Sequence, residues 1–159
     1  MFISRRLQSS LLYGLTSCRC LQSKSDTLLF TLKSIPMKVA VIGSRTLNSE
    51  SHYQQLSQEL DALVIAEAQA ISLIISGLAV GIDKMGERFA LERGIPTQIF
   101  LPDYQSHGRF APLVRNQLIV NEADICLVLW DGKSKGTAHA LRLARRKRGL
   151  RLIVVVPLP

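Results

Sequence analysis

One pattern constrains this chain more than any other: a short apolar run, a turn rich in glycine and hydroxyl residues, then an amphipathic stretch, several times over. The apolar runs are Val39–Ile42, Ile71–Ile75, Thr97–Leu101, Ile125–Leu129 and Leu152–Val156. A run without polar alternation suits a strand covered on both faces, which is the situation in a parallel sheet. Between the runs, Tyr53, Leu56, Leu60, Leu63 and Val64 recur at spacings of three and four and predict a helix. A second helix is predicted from about Gly81, burying Ile82, Met85 and Phe89, with Gly94 as its stop. A short helix is predicted over Leu113–Asn121 and a last one over Ala138–Arg148, before Gly149. Residues 102–112 read as a polar loop. Strands alternating with helices predict an α/β fold, a single doubly wound domain on a mainly parallel five-stranded sheet.

Composition narrows the choice further. With 47% hydrophobic and 20% charged residues the chain has the means to form a core. No apolar run approaches the ~18 residues of a membrane-spanning helix, so no membrane partner is expected. Three cysteines do not make a disulfide scaffold or a zinc ribbon: Cys18 and Cys20 form a lone C-x-C, and Cys126 lies in an apolar run as a reduced core residue. A cytoplasmic location fits. The net charge of +8 is unevenly placed: residues 1–36 carry five basic and one acidic residue, residues 37–141 nine and eleven, and residues 142–159 six and none. Each basic end therefore needs its own explanation.

Residues 1–36 lack a sustained period, are rich in Ser and Leu, and contain Arg5, Arg6 and Arg19. They read as a disordered leader: an organelle transit peptide, which would make the location organellar, or a start codon set upstream of Met37. Residues 37–159 are expected to form the domain.

In doubly wound sheets ligands bind beyond the carboxyl ends of the strands. Gly43-Ser44-Arg45-Thr46 follows the first run, Ser76-Gly77 through Gly81-Ile82-Asp83 the second, and Trp130-Asp131-Gly132-Lys133-Ser134-Lys135-Gly136-Thr137 the fourth. Three turns on one edge deliver glycine, which admits close backbone approach, and hydroxyl donors at helix N-termini that favour anions. A phosphate-bearing ligand is the expectation. Gly132-Lys133-Ser134 is not a P-loop, because Leu127 stands where the first glycine is required, and no G-x-G-x-x-G follows the first run.

The segments Gly43-Ser44-Arg45, Gly77 through Gly81-Ile82-Asp83, His107-Gly108-Arg109 with Arg115-Asn116, and Trp130–Thr137 together resemble the SLOG superfamily. The likeness is nearest to its small stand-alone members related to YspA and YpsA, while Ser76–Asp83 also resembles the DprA/Smf branch, which binds single-stranded DNA. The resemblance implies a Rossmann-like fold that binds nucleotides or nucleotide-derived molecules. It also implies binding roles for Gly43, Ser44, Arg45, Ser76, Gly77, Gly81, Asp83, and for Arg115, Asn116, Asp131, Gly132, Ser134, Gly136 and Thr137. The LOG phosphoribohydrolases of this superfamily use a catalytic glutamate after a Gly-Thr pair. Here His139 occupies the carboxylate position, and Asn116 follows Arg115 where those enzymes have lysine.

Taken singly, these residues have plainer readings as well. Arg115 is expected near the start of a short helix, against the dipole, so that it meets a ligand phosphate or Asp131. Asp83 suits a ribose hydroxyl or simply the first turn of its helix. Trp130 suits a base or the core, and His107 a covering loop. The basic run Arg142–Arg151 suits the last turn of a helix, with nucleic acid as the less favoured partner. The expected function is therefore binding of a nucleotide or nucleotide-derived small molecule by a sensor or accessory protein, without metal, cofactor or assigned catalytic residue. The alternatives are a nucleotide N-glycosidase and a DprA-like single-stranded DNA-binding protein. Homo-oligomerisation is left open.

Overall fold

The computed structural model describes residues 37–158. The leader read in residues 1–36, with Cys18 and Cys20, lies outside them. Five parallel strands, β1 (Met37–Gly43), β2 (Ile71–Ser76), β3 (Thr97–Ile99), β4 (Ile125–Leu129) and β5 (Arg151–Val155), lie in the order β3-β2-β1-β4-β5. The helices are α1 (Glu50–Glu67), α2 (Ile82–Glu92), α3 (Tyr104–His107), α4 (Ala111–Glu122) and α5 (Lys135–Arg146). The winding steps outward from β1 through β2 to β3, then crosses to β4 and β5. This reversal puts a topological switch point between β1 and β4, where their outgoing turns separate. The expected Rossmann-like α/β fold is present.

Alternation along β1 divides the core. Val39 and Val41 pack with Leu56 and Leu60 of α1 and Ile82 and Phe89 of α2. Ala40 and Ile42 face the other way, toward Ile119 and Val120 of α4 and Ala140, Leu141 and Ala144 of α5. Cys126 is fully buried in this second layer, and burial pushes its thiol up to about 12, so it is an inert core group as expected.

The differences from the sequence reading have local causes. The outer strands β3 and β5 are partly exposed, and β3 holds three residues rather than five. Apolar content marked both as strands, but only the inner strands are covered on both faces. Residues 102–112 are not a loop. Asp103 caps α3 by accepting the N–H groups of Gln105 and Ser106, a 3₁₀ turn follows at Gly108–Phe110, and α4 begins at Ala111 with Pro112 in its first turn. Ser49 opens α1 in a capping box with His52, ahead of the first apolar residue of the period. Ser134 caps α5, which starts three residues before Ala138 and ends at Arg146.

Candidate functional site

Three turns meet above the switch point, and each is organised by a side chain of the protein itself. After β1, Ser44 is fully buried; its hydroxyl donates to Asp131 Oδ1 at 2.8 Å and accepts the Asp131 N–H at 3.1 Å. Thr46 Oγ1 donates to Asp131 Oδ2 at 2.7 Å, and the N–H groups of Lys133 and Ser134 donate to Oδ1, both at 2.9 Å. These donors, led by the Ser134 N–H, hold the Asp131 carboxyl well below the usual carboxylate range. Asp131 thus pins the β1 and β4 turns together, and its lone pairs are engaged within the protein rather than by a ligand. The expected contact between Asp131 and Arg115 is not made.

The turn after β2 is closed more completely. Asp83, 4% exposed, points its carboxylate back into the turn, where the Gly43 N–H donates to it at 3.3 Å and the Gly77 and Ala79 amides face it. Arg115 Nη1 lies 3.7 Å from Asp83 Oδ2 and donates to the Gly77 carbonyl at 2.6 Å. Burial dominates and raises Asp83 to about 6, against the opposing influence of Arg115 and the amides. Burial also lowers Arg115. The N–H cradle expected for a phosphate is therefore filled by the chain's own carboxylate. Ser76 is equally engaged: its hydroxyl donates to Glu87 Oε1 at 2.7 Å and accepts the Leu78 N–H at 3.1 Å.

Three glycines here serve packing. A Cβ on Gly77 would fall on the Arg115 guanidinium. Gly81, at φ +90°, sits within 3 Å of where the Ser44 carbonyl and Arg45 backbone would meet a side chain, so the β2 and β1 turns rest directly on each other. The Gly43 position likewise lets Ile82 approach β1. Arg115 is the fifth residue of α4, past the turn where the dipole would oppose it, and is 9% exposed. It braces α4 against the β2 turn and also borders the clefts at the centre and on the β3 side of the edge, so the ligand contact expected from the sequence is joined by a structural role. Its Nε is buried without a partner among the described residues.

The open part of the edge lies elsewhere. Asn116 Nδ2 donates to the Gly136 carbonyl at 3.2 Å and ties α4 to the start of α5, while Thr137 is buried and shares the Ser134 hydroxyl that caps the helix. Gly136 is the exception among the packed positions, since a Cβ there would meet nothing within 4 Å. Gly132 is similarly unobstructed, and its φ of +78° shapes the turn.

Arg45 stands between three adjoining clefts. The central one, between Gly43, Asn116 and Gly136, encloses about 80 Å³. That is roughly three waters at about 30 Å³ each, and far below the ~300–1,000 Å³ of a typical small-molecule site. On the α5 side it widens into about 450 Å³ bordered by Thr46, Lys133 and Gly136. On the β3 side it continues into about 160 Å³ bordered by Gly77, Leu101, Tyr104 and Pro112. The result is a groove along the sheet edge. Arg45 and Lys133 are exposed along it and make no ion pair among the described residues. Tyr104 is 61% exposed and Phe110, with Arg109 stacked 4.9 Å over its ring, is 54% exposed. These aromatics were missed in the sequence because residues 102–112 read as loop; the Asp103 cap and Pro112 were the signals for helix. His107 is exposed in α3. His139, the residue in place of a catalytic glutamate, has a buried, unpartnered Nδ1, and burial and Arg142 lower its pKa. Among the described residues no cluster of His, Cys, Asp and Glu is arranged to hold a metal, and no helix is long and apolar enough to cross a membrane.

Fold and edge define a Rossmann-like α/β domain with a cationic groove at its switch point, bordered on the β3 side by Tyr104. Residues 27–107 match the family model of DNA recombination-mediator protein A, and the chain belongs to that family. It is 31% identical over 80 residues to the Gene 61 protein of Mycobacterium phage D29, covering 46% of this chain and 64% of that one. Among solved structures it is similar to DNA processing protein A from Helicobacter pylori, described for its single-stranded DNA binding mode. There the TM-score is 0.54 at 23% identity, over 75% of this chain and 65% of that one. DNA processing protein A from Streptococcus pneumoniae gives a TM-score of 0.49 at 19% identity, over 74% and 58%. The chain spans less than two thirds of the length of each of these relatives.

Proposed function

We propose that this domain binds single-stranded DNA along the groove at the carboxyl edge of its sheet. The observation that carries the reading is the groove's form: a narrow centre that runs on into a wider cleft on each side, elongated rather than one closed pocket, with Arg45 in the middle. A cationic track with exposed aromatic rings suits a backbone that passes through and bases that stack, without sequence readout. Arg45 and Lys133 would meet phosphates, Gly136 would admit the backbone to the N-terminus of α5, and Tyr104 would offer a stacking face. Family membership supports the same choice.

This reverses the order in which the sequence ranked its readings, where a free nucleotide came first. Of the turns expected to hold that nucleotide's phosphate, the one after β2 is occupied by Asp83. Glycosidic cleavage loses support for a chemical reason: Asp83 and Asp131, the carboxylates nearest the edge, are both held by the protein, and neither is free to activate water.

Fluorescence anisotropy of a labelled oligo-dT tests the proposal. Binding should weaken as salt rises, with a slope of about −0.7 per phosphate contact on logarithmic axes, and Arg45→Gln should weaken it several-fold. Failure of the oligonucleotide to bind, with an unlabelled mononucleotide raising the melting temperature at micromolar concentration, would restore the small-molecule reading.

A further inference from the structure

The C-terminal basic run separates into two groups. Lys147 turns inward, donating from Nζ to the carbonyls of Val120, Asn121 and Ala123 at 2.9, 2.8 and 2.5 Å, and so closes the end of α4. Arg151 pairs with Glu67. These two cations are structural. Lys135, Arg142 and Arg145 are exposed and make no ion pair among the described residues. From Gly132 to the end of the sequence there is no acidic residue.

Residues 135, 138, 142 and 145 fall at helical spacing on one face of α5. That face borders a hollow of about 440 Å³, whose remaining wall is Trp130 and Leu141. The Trp130 indole N–H donates to the Ser134 carbonyl at 3.1 Å, which fixes the ring in place as a wall. The helix dipole does not account for these cations. Lys135 stands at the first position of α5, where positive charge is unfavourable, and Arg142 lies in the middle; only Arg145 is in the last turn. The hollow also adjoins the groove, because the turn carrying Lys133, Ser134 and Gly136 forms the groove's rim on one side and leads to Trp130 and Lys135 on the other.

We infer that the hollow beside Trp130 is a second subsite for the same DNA single strand, taking a base against the indole and phosphates on Lys135, Arg142 and Arg145. The inference rests on the single-strand reading of the groove and extends it. A strand leaving the groove over the N-terminus of α5 descends along the helix, where the cations repeat over about 15 Å, ten residues at about 1.5 Å each. The apolar floor of Ala138 and Leu141 and the fixed ring suit a base, the free cations suit its backbone, and the volume suits a unit of nucleoside size.

Trp130 is the sole tryptophan of the chain, so intrinsic fluorescence reports on this hollow alone. The full chain is titrated with oligo-dT of about 6 and about 16 nucleotides, lengths that bracket common single-strand site sizes. The longer oligonucleotide is expected to quench Trp130. The exposed pair Arg142→Gln with Arg145→Gln, checked for fold by circular dichroism, should lower its affinity about ten-fold and reduce the salt slope by about 1.4. If both lengths bind, weakened by Arg45→Gln, while Trp130 stays unquenched and the double variant binds the longer one normally, the second subsite is wrong and the groove reading stands. If neither length binds, both fall. Quenching by poly-glutamate but not by oligo-dT would overturn the inference in favour of an acidic protein partner.

Discussion

The turns after β2 and β4 each carry an aspartate that collects backbone N–H groups, yet their carboxylates are displaced in opposite directions. Asp83 is buried among Gly43, Gly77 and Arg115 and rises to about 6, because loss of solvent outweighs its neighbours. Asp131 stays near the surface, where hydroxyls and amides reach it without stripping away water, and it is held low. The first turn is locked into the molecule; the second is held in shape but leaves the start of α5 open at Gly136. A glycine- and hydroxyl-rich turn after a parallel strand is thus not in itself an anion site, since the chain can supply the anion.

The largest effect expected of breaking this contrast is at Arg115. Arg115→Ala leaves the Asp83 carboxylate buried without its cation and should cost about 3–5 kcal/mol in urea denaturation. A variant as stable as the parent would show that the β2 turn is not locked by this pair. The Asp83 pH dependence comes next. Its folded pKa of about 6 lies above the unfolded value of about 3.9, so between these values the folded state keeps a proton that the unfolded state has lost. Stability contributed by this group is full below about pH 4 and falls as pH rises to about 6, by about 3 kcal/mol. Asp83→Asn should remove that fall from a series of melts across the range. Asp131 has the opposite sign: its contribution is present above about pH 4 and fades as pH drops below it. Asp131→Ala at neutral pH should cost about 1–2 kcal/mol, less than Arg115→Ala because the exposed amides and hydroxyls it releases can turn to water.

The sequence marked the sheet through its inner strands, because residues such as Val39–Ile42 and Ile125–Leu129 are apolar on both faces, as suits a covered parallel strand, and they alternate with helical periods. It also marked three turns, Gly43–Arg45, Ser76–Asp83 and Asp131–Thr137, that the structure brings together at one edge. Which of these residues face outward was not legible. Direction depends on partners distant in sequence: Gly77 is required by Arg115, 38 residues on, and Ser44 is turned inward by Asp131, 87 residues on. Arg115 looked like a ligand arginine because its helix was expected to begin at Leu113, and the two further residues of α4 place it beyond the first turn. The contribution of Tyr104 to the groove was hidden as well, since short polar helices carry too few apolar residues to show a period.

The smallest expected effect on stability belongs to the residue on which the account depends most. Gly136 lies in the groove at the start of α5 with open space above it, so Gly136→Val should change stability by less than about 1 kcal/mol. The most direct measurement is oligo-dT affinity of this variant by anisotropy, beside its melting temperature. The melting temperature should hold while affinity falls at least ten-fold, because the valine blocks backbone approach without altering charge. Parent-like affinity in a protein that melts as the parent does would contradict the assignment of this groove to single-stranded DNA.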